Sequence, residues 1–399
     1  MPPRELLSLS LYSLLASNRG GLFIVYLPLY LVELKGASLP AALTILALAY
    51  VPASLIGPFV GRLSDRARRR RPFLLAGEAA AFPLFLAIVF APGYVLAGAL
   101  FIAAEMALAI GAPAYTAYVA DVTRENERGM GYGLLNATSN GGAVAGFALA
   151  GVITYWFGLA ALFPFVIAVM IGTLSVVVFL VPDPMLEPTP PVRRPLKEMR
   201  PIVTFSFAVS IRAIGSGAVA TFYGFLAATL GANDFEISLI AIAGLVTAAV
   251  VSLPFGRWID RAGEIRAIWY GTALSLASYG IFLLSTSWTE VVPAQAVRNG
   301  GLSLVGPGMQ AWVARMAPAD RRAEYLGVFA LINSTLWSVG PLVGAAAILV
   351  GGYLGLFVMA IGTTVISLAV MEFLYGEMGL RARWHPPAAP RPPAVPPAA

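Results

Sequence analysis

Four ionisable side chains lie deep inside long apolar runs: Arg19 in LLASNRGGLFIVYLPLYL (Leu14 to Leu31), Glu105 in AAEMALAIGAPAYTAYVADV, Arg212, and Arg298 in VRNGGLSLVGPGMQAWVA (Val297 to Ala314). A charge at membrane depth costs at least about 2.5 kcal/mol and is by default functional. Arginine keeps its charge at any accessible pH and offers a planar fork that fits carboxylate or phosphate. Glutamate gains or loses its charge according to burial and neighbours. Three arginines and one glutamate leave a net charge of +2, which favours an anionic ligand held by Arg19 and Arg212. Arg298, Asn18, Asn299 and Tyr26 stand as further substrate contacts. When the anion takes up an arginine, Glu105 loses its partner and binds a proton.

These four residues need elements that place them at one depth. The chain is 59% hydrophobic and 12% charged, far from the balance of a soluble domain. Apolar stretches long enough to span a bilayer run over 6–33, 39–61, 72–91, 94–120, 130–155 and 159–182. Six more run over 201–230, 235–258, 266–287, 289–317, 324–350 and 353–375. The expected fold is therefore all-α: twelve transmembrane helices in two six-helix bundles, 1–182 and 201–376. A cytoplasmic linker (183–200) joins them and a Pro-rich cytoplasmic tail (377–399) follows. Each of the four charges falls about ten to fifteen residues into its span, near the midplane at about 1.5 Å per residue. With both termini placed in the cytoplasm, 22 of the 26 Lys and Arg lie on the inner side, as the positive-inside rule requires. That placement explains the net charge of +6 without nucleic acid. The first span is too long for a signal peptide, has a central arginine and lacks a small-residue cleavage site.

An internal repeat of about 195 residues runs through the chain. GRLSDRARRRR (Gly61 to Arg71) returns as GRWIDRAGEIR (Gly256 to Arg266), and the outer-loop LKGAS (Leu34 to Ser38) returns as LGAN (Leu230 to Asn233). Arg212 follows Arg19 by 193 residues and Arg298 follows Glu105 by the same 193.

On these motifs the sequence resembles the major facilitator superfamily of secondary transporters, over the whole chain except the tail. The family's loop motif has a Gly, an Asp four residues later, a basic residue, a further Gly and more basic residues. The first copy keeps Gly61, Asp65, Arg66, Arg69 and Arg70 but has Arg68 where the family prefers Gly. The second keeps Gly256, Asp260, Arg261 and Gly263 but has Glu264 at a usually basic position. The resemblance implies that this loop latches the two halves in an outward-facing state, and that the first and fourth helices of each half line a central cavity where substrate binds. It also implies a multi-pass monomer in the cell membrane that exchanges a small organic solute, and protons, by alternating access.

Glycine stripes in the fifth span (GGAVAGFALAG, Gly141 to Gly151) and the eleventh (GPLVGAA, Gly340 to Ala347) predict close helix contacts. The competing reading is a proton-coupled exporter of hydrophobic drugs, with Tyr26, Tyr115, Phe222, Tyr223 and Trp312 lining its cavity. A membrane enzyme lacks its constellation here: there is no cysteine, and the one histidine, His385, sits in the tail. Neither a metal nor a cofactor is expected. A non-transporting receptor is the remote alternative, since no large soluble domain accompanies the spans. Glu78, Glu33 and Glu372 fall toward span ends, within reach of the interface.

Overall fold

In hydrocarbon every backbone N–H and C=O must be satisfied within the chain, so long apolar runs become helices. A computed structural model describes residues 4–183 and 199–377. The linker expected at 183–200 and the tail at 377–399 thus lie almost wholly outside the described residues, as do the side chains of 20–26 and of most of 46–54.

The described chain is nearly all helical: α1 (Arg4–Glu33), α2 (Leu39–Ala67), α3 (Arg71–Phe90), α4 (Tyr94–Leu108), α5 (Ala112–Val122), α6 (Arg128–Phe157), α7 (Leu162–Phe179), α8 (Arg200–Ser210), α9 (Arg212–Thr229), α10 (Asp234–Ala262), α11 (Glu264–Leu284), α12 (Trp288–Met316) and α13 (Arg322–Glu377). Among the described residues, seven helical segments are long and apolar enough to cross a membrane. Two expected spans carry breaks. The one at 94–120 is interrupted between α4 and α5, and that at 201–230 between α8 and α9. The last two are arms of α13 that meet where Gly351 and Gly352 leave helical geometry, Gly352 with φ +61°.

The outer-loop repeat has a physical cause. Gly36 and Gly231 both adopt positive φ, +74° and +91°. Two residues later, Ser38 caps α2 by accepting the amide of Ala41. Asn233 caps α10 in a reciprocal capping box with Glu236. Glycine turns the chain, and an oxygen-bearing side chain satisfies the next helix's first amides.

The glycine stripes set the helix pairs that carry the buried arginines. α1 packs on α6, where a Cβ at Gly142 or Gly146 would collide with the carbonyl oxygens of Leu14 and Asn18. α9 packs on the first arm of α13 in the same manner, through Gly217 against the carbonyl of Trp337 and Gly340 against that of Ile214. Helices α1–α7 and α8–α13 meet along two seams, α2 with α13 and α6 with α10.

Candidate substrate site and latch

Arg19 and Arg212, equivalent by repeat, sit in opposite circumstances. Arg19 is 6% exposed and donates from Nη1 to Glu78 Oε2 at 2.8 Å and from Nη2 to Glu78 Oε1 at 3.4 Å. Glu78 also accepts the Tyr12 hydroxyl at 3.0 Å and the Thr173 hydroxyl at 3.3 Å. Far from reaching an interface, as its position near a span end suggested, Glu78 is 1% exposed and is the counter-ion of Arg19. Two turns into α3 its side chain faces α1 and α7, where an ion pair offsets the desolvation of both charges. Glu33 and Glu372 are exposed, as their places at span ends predicted.

Arg212 has no such partner. It is 5% exposed, and its Nε and Nη1 are buried without any hydrogen-bond acceptor. Its charged neighbour is another arginine, Arg298, 3% exposed. Arg298 donates from Nη2 to the carbonyl of Ser216 at 2.8 Å, also engages the Tyr279 hydroxyl, and lies over the ring of Trp337, Cζ 5.8 Å from the centroid. Its Nε is also buried and unsatisfied. The Ser216 hydroxyl meets the Tyr279 hydroxyl at 2.8 Å, so α9, α11 and α12 close around the two guanidinium groups. No described carboxylate pairs with either. Each orphaned donor costs its desolvation, about 1–3 kcal/mol and more when charged. The chemistry this arrangement suits is the capture of an oxyanion.

Glu105, on α4, is half-buried and accepts no hydrogen bond from a described residue; the charges that act on it are Arg19 and Glu78. The expected Arg–Glu105 pair is thus replaced by Arg19–Glu78. Asn18 is buried with its Oδ1 unpartnered, while Asn299 donates back to the carbonyl of Gln295. The side chain of Tyr26 lies outside the described residues. Trp312 is 1% exposed and its ring packs tilted against Phe205, centroids 4.5 Å apart, so it is core rather than cavity surface. Among the described residues no group of three His, Asp or Glu could hold a metal.

The two copies of the loop motif each bind a helix N-terminus across a seam at the basic end of the bundle, the contact a latch would need. Asp65 accepts the amides of Ala323 and Glu324, at 3.2 and 2.9 Å, in the first turn of α13. Asp260 accepts those of Gly129 and Met130, at 2.6 and 2.7 Å, in the first turn of α6. Helix N-termini present free amides and partial positive charge. The glycine four residues earlier shares the aspartate's face. A Cβ at Gly61 would strike the carbonyl of Ala323, and one at Gly256 that of Gly129. Gly and Asp in this spacing bring the backbones together and then bind the amides.

The latches differ in support. Arg70, fully buried, donates to Asp65 Oδ1 and Asp121 Oδ2, each at 2.8 Å, and Arg322 donates to Asp121 Oδ1 at 2.6 Å. Arg62 and Arg321 both bind Glu324. Asp260 forms no ion pair with a described residue. Arg69 binds Asp183, and Arg66 and Arg261 are exposed on the surface. The basic residue that holds the first latch is therefore Arg70, with Asp121 as the carboxylate the sequence did not single out. Arg68, where the family favours Gly, has φ +53°, and Gly263 in the second copy has φ +92°. The preference is for the left-handed turn that ends the helix.

The model of the Major Facilitator Superfamily matches residues 9–207 and 205–398. The chain belongs to this superfamily. It is a multi-pass protein of the plasma membrane. It is 28% identical over 320 residues to the class C tetracycline resistance protein of Escherichia coli, covering 76% of this chain and 78% of that one. To the class G tetracycline resistance protein of Vibrio anguillarum it is 26% identical over 351 residues, covering 81% and 84%. The crystal structure of the human organic anion transporter MFSD10 superposes with a TM-score of 0.79 at 16% identity, covering 94% of this chain and all of that one. A bacterial homologue of the iron transporter ferroportin, solved in an outward-facing state, gives 0.75 at 17% identity, covering 94% of this chain and all of that one. Both share the fold.

Proposed function

We propose that this transporter moves a small organic anion by alternating access, coupled to protons, through twelve spans whose two termini lie in the cytoplasm. The observation that carries the reading is the pair Arg212 and Arg298, both buried, with Nε and Nη1 of one and Nε of the other lacking any acceptor. An anion supplies those acceptors and removes the penalty of two adjacent unpaired charges. Asn18 and Asn299, next in sequence to Arg19 and Arg298 respectively, are read as further polar contacts, and Tyr26 is kept with them from the sequence alone. Arg19 is engaged by Glu78 in this state, so the first contact falls to the arginines of α9 and α12. Neutralising them by an anion removes positive potential from the cavity, and Glu105 then binds a proton more readily.

The basic end, where both aspartate latches close the seams, is the cytoplasmic end by the positive-inside rule. With that end closed by the two aspartate contacts, the site in this reading exchanges with the outside, and release of those contacts admits it to the cytoplasm. Family membership points to transport of a small molecule rather than to an enzyme or a receptor.

The test is uptake of labelled carboxylates by proteoliposomes under an imposed pH gradient. Accumulation on external acidification, lost in Arg212→Ala, supports the reading. Movement of none of the carboxylates by the wild type would overturn it. Relationship to two tetracycline resistance proteins over most of both chains favours a second reading, drug efflux. In the same vesicles, proton-driven movement of tetracycline or a lipophilic cation, with no carboxylate flux, decides for that reading.

A further inference from the structure

Two carboxylates, one buried and one half-buried, lie under the influence of one arginine on the α1–α7 side of the molecule, and they are not held alike. Glu78 accepts four donors: Nη1 and Nη2 of Arg19, the hydroxyl of Tyr12 and that of Thr173. A carboxylate has about four lone-pair sites, so these fill it. Donors from α1 and α7 thus converge on one group of α3, and the ring of Phe85 lies 5.8 Å from Arg19 Cζ on another side. Glu105, on α4, which packs against α3 and also touches α1, receives no hydrogen bond from a described residue, and the charges of Arg19 and Glu78 both act on it.

One guanidinium cannot neutralise two carboxylates. It stays with the one that Tyr12 and Thr173 also support. Environments that drive two neighbouring acids apart in this way assign them different roles, one fixed in charge and the other free to exchange a proton.

We propose that Glu78 is a positioning residue for proton coupling. By holding Arg19 it keeps the guanidinium off Glu105 and leaves Glu105 able to take up and release a proton. An arginine released from Glu78 would turn to the remaining carboxylate, and an opposite charge at close range favours the ionised form by about 1–3 pH units. Glu105 would then stay ionised through the cycle and carry nothing. Besides Arg19 and Glu78, the titratable groups in contact with the pair or with each other there are Tyr12 of α1, which spends its proton on Glu78, and Tyr115 of α5, whose ring lies tilted against Tyr12 at 5.6 Å; Tyr30 and Glu33 of α1 and Tyr118 and Asp121 of α5 stand toward the helix ends. The one ionisable group in the span portion of α2 is Tyr50, whose side chain lies outside the described residues. The inference rests on the proposed role of Glu105 as proton carrier.

The experiment is an infrared pH titration of the purified full chain in lipid, following the protonated-carboxyl stretch, and needs no ligand. The band that disappears in Glu105→Gln belongs to Glu105. Glu78→Gln frees Arg19, and the Glu105 midpoint should fall by about 1–3 pH units. Arg19→Gln leaves Glu78 as an uncompensated negative neighbour, and the midpoint should rise. The double variant Arg19→Gln with Glu78→Gln removes both charges and should return it close to wild type. A structural role alone would not give shifts of opposite sign that cancel in the double variant. If Glu78→Gln does not fold, the rise in Arg19→Gln and its reversal in the double variant decide.

A Glu105 band that titrates identically in all folded variants overturns the positioning role and leaves the proton-carrier reading standing. No titrating band attributable to Glu105 in the wild type overturns both.

Discussion

A buried guanidinium tells its purpose by what it is paired with, and here two equivalent arginines predict opposite responses to the same substitution. Arg19→Ala strands Glu78 at 1% exposure, and removing one member of a buried pair costs about 3–5 kcal/mol. Arg212→Ala removes a charge with no partner, so denaturation should show unchanged or higher stability. Bound anion should raise the stability of the wild type but not of Arg212→Ala, by mass action. Thermal unfolding of both variants, with and without a carboxylate, checks the pair of signs. Equal destabilisation by the two substitutions would mean that Arg212 has a structural acceptor. The arginines themselves were legible in the sequence, because a charge in an apolar run stands out and the 193-residue spacing matched them. Glu78 and Asp121 were not. Sequence gives position along a helix, whereas the identity of a counter-ion depends on the rotation and depth of a neighbouring helix.

Helices are the scale at which the pattern of small residues acts. A Cβ at Gly142 meets the backbone of Leu14, while Gly141 has nothing within 4 Å. Gly142→Ala should therefore push α1 from α6, destabilise by about 1–3 kcal/mol as an overpacked contact and displace Arg19 with it. Gly141→Ala should be neutral or slightly stabilising, since alanine is the better helix former. Unfolding midpoints of the two single variants compare adjacent residues that differ only in facing. The stripe in Gly141 to Gly151 announced close packing without saying which glycine touches which carbonyl, because four-residue spacing defines a face and not its partner. Helix lengths and loops followed from hydropathy and turn residues, and Ser38 and Asn233 stood at the starts of their helices. The breaks beside Ile211 and Gly111 left no hydropathic mark, since both lie in apolar sequence, whereas the one at Gly351 and Gly352 falls between the spans read at 324–350 and 353–375.

At the level of the whole molecule, two aspartates hold two seams of one closed end, and the seams are unequal. The α2–α13 seam has Asp65 backed by Arg70, Asp121 and Arg322, so charge lost at Asp65 disturbs a network that crosses between the α1–α7 and α8–α13 sets. The α6–α10 seam has Asp260 on two amides and, deeper, Asn136 donating to the Ser252 hydroxyl at 2.7 Å. Asparagine at either aspartate keeps the shape and removes the charge, weakening bonds whose charge assistance at a helix N-terminus is worth about 1–2 kcal/mol. That corresponds to roughly a tenfold gain in the open population. The chain has no cysteine, and Ser252 is fully buried in the α6–α10 seam. Maleimide labelling of Ser252→Cys therefore reports opening of that end without background. Labelling should accelerate about tenfold in Asp260→Asn and more in Asp65→Asn, because the second also unsettles Arg70. If the two single effects multiply in the double variant, both aspartates restrain one shared opening, whereas labelling unchanged by Asp65→Asn would mean that the seams open independently. If the double variant labels no faster than Asp65→Asn, releasing the first seam already opens the second, and the closed end moves as one rigid unit.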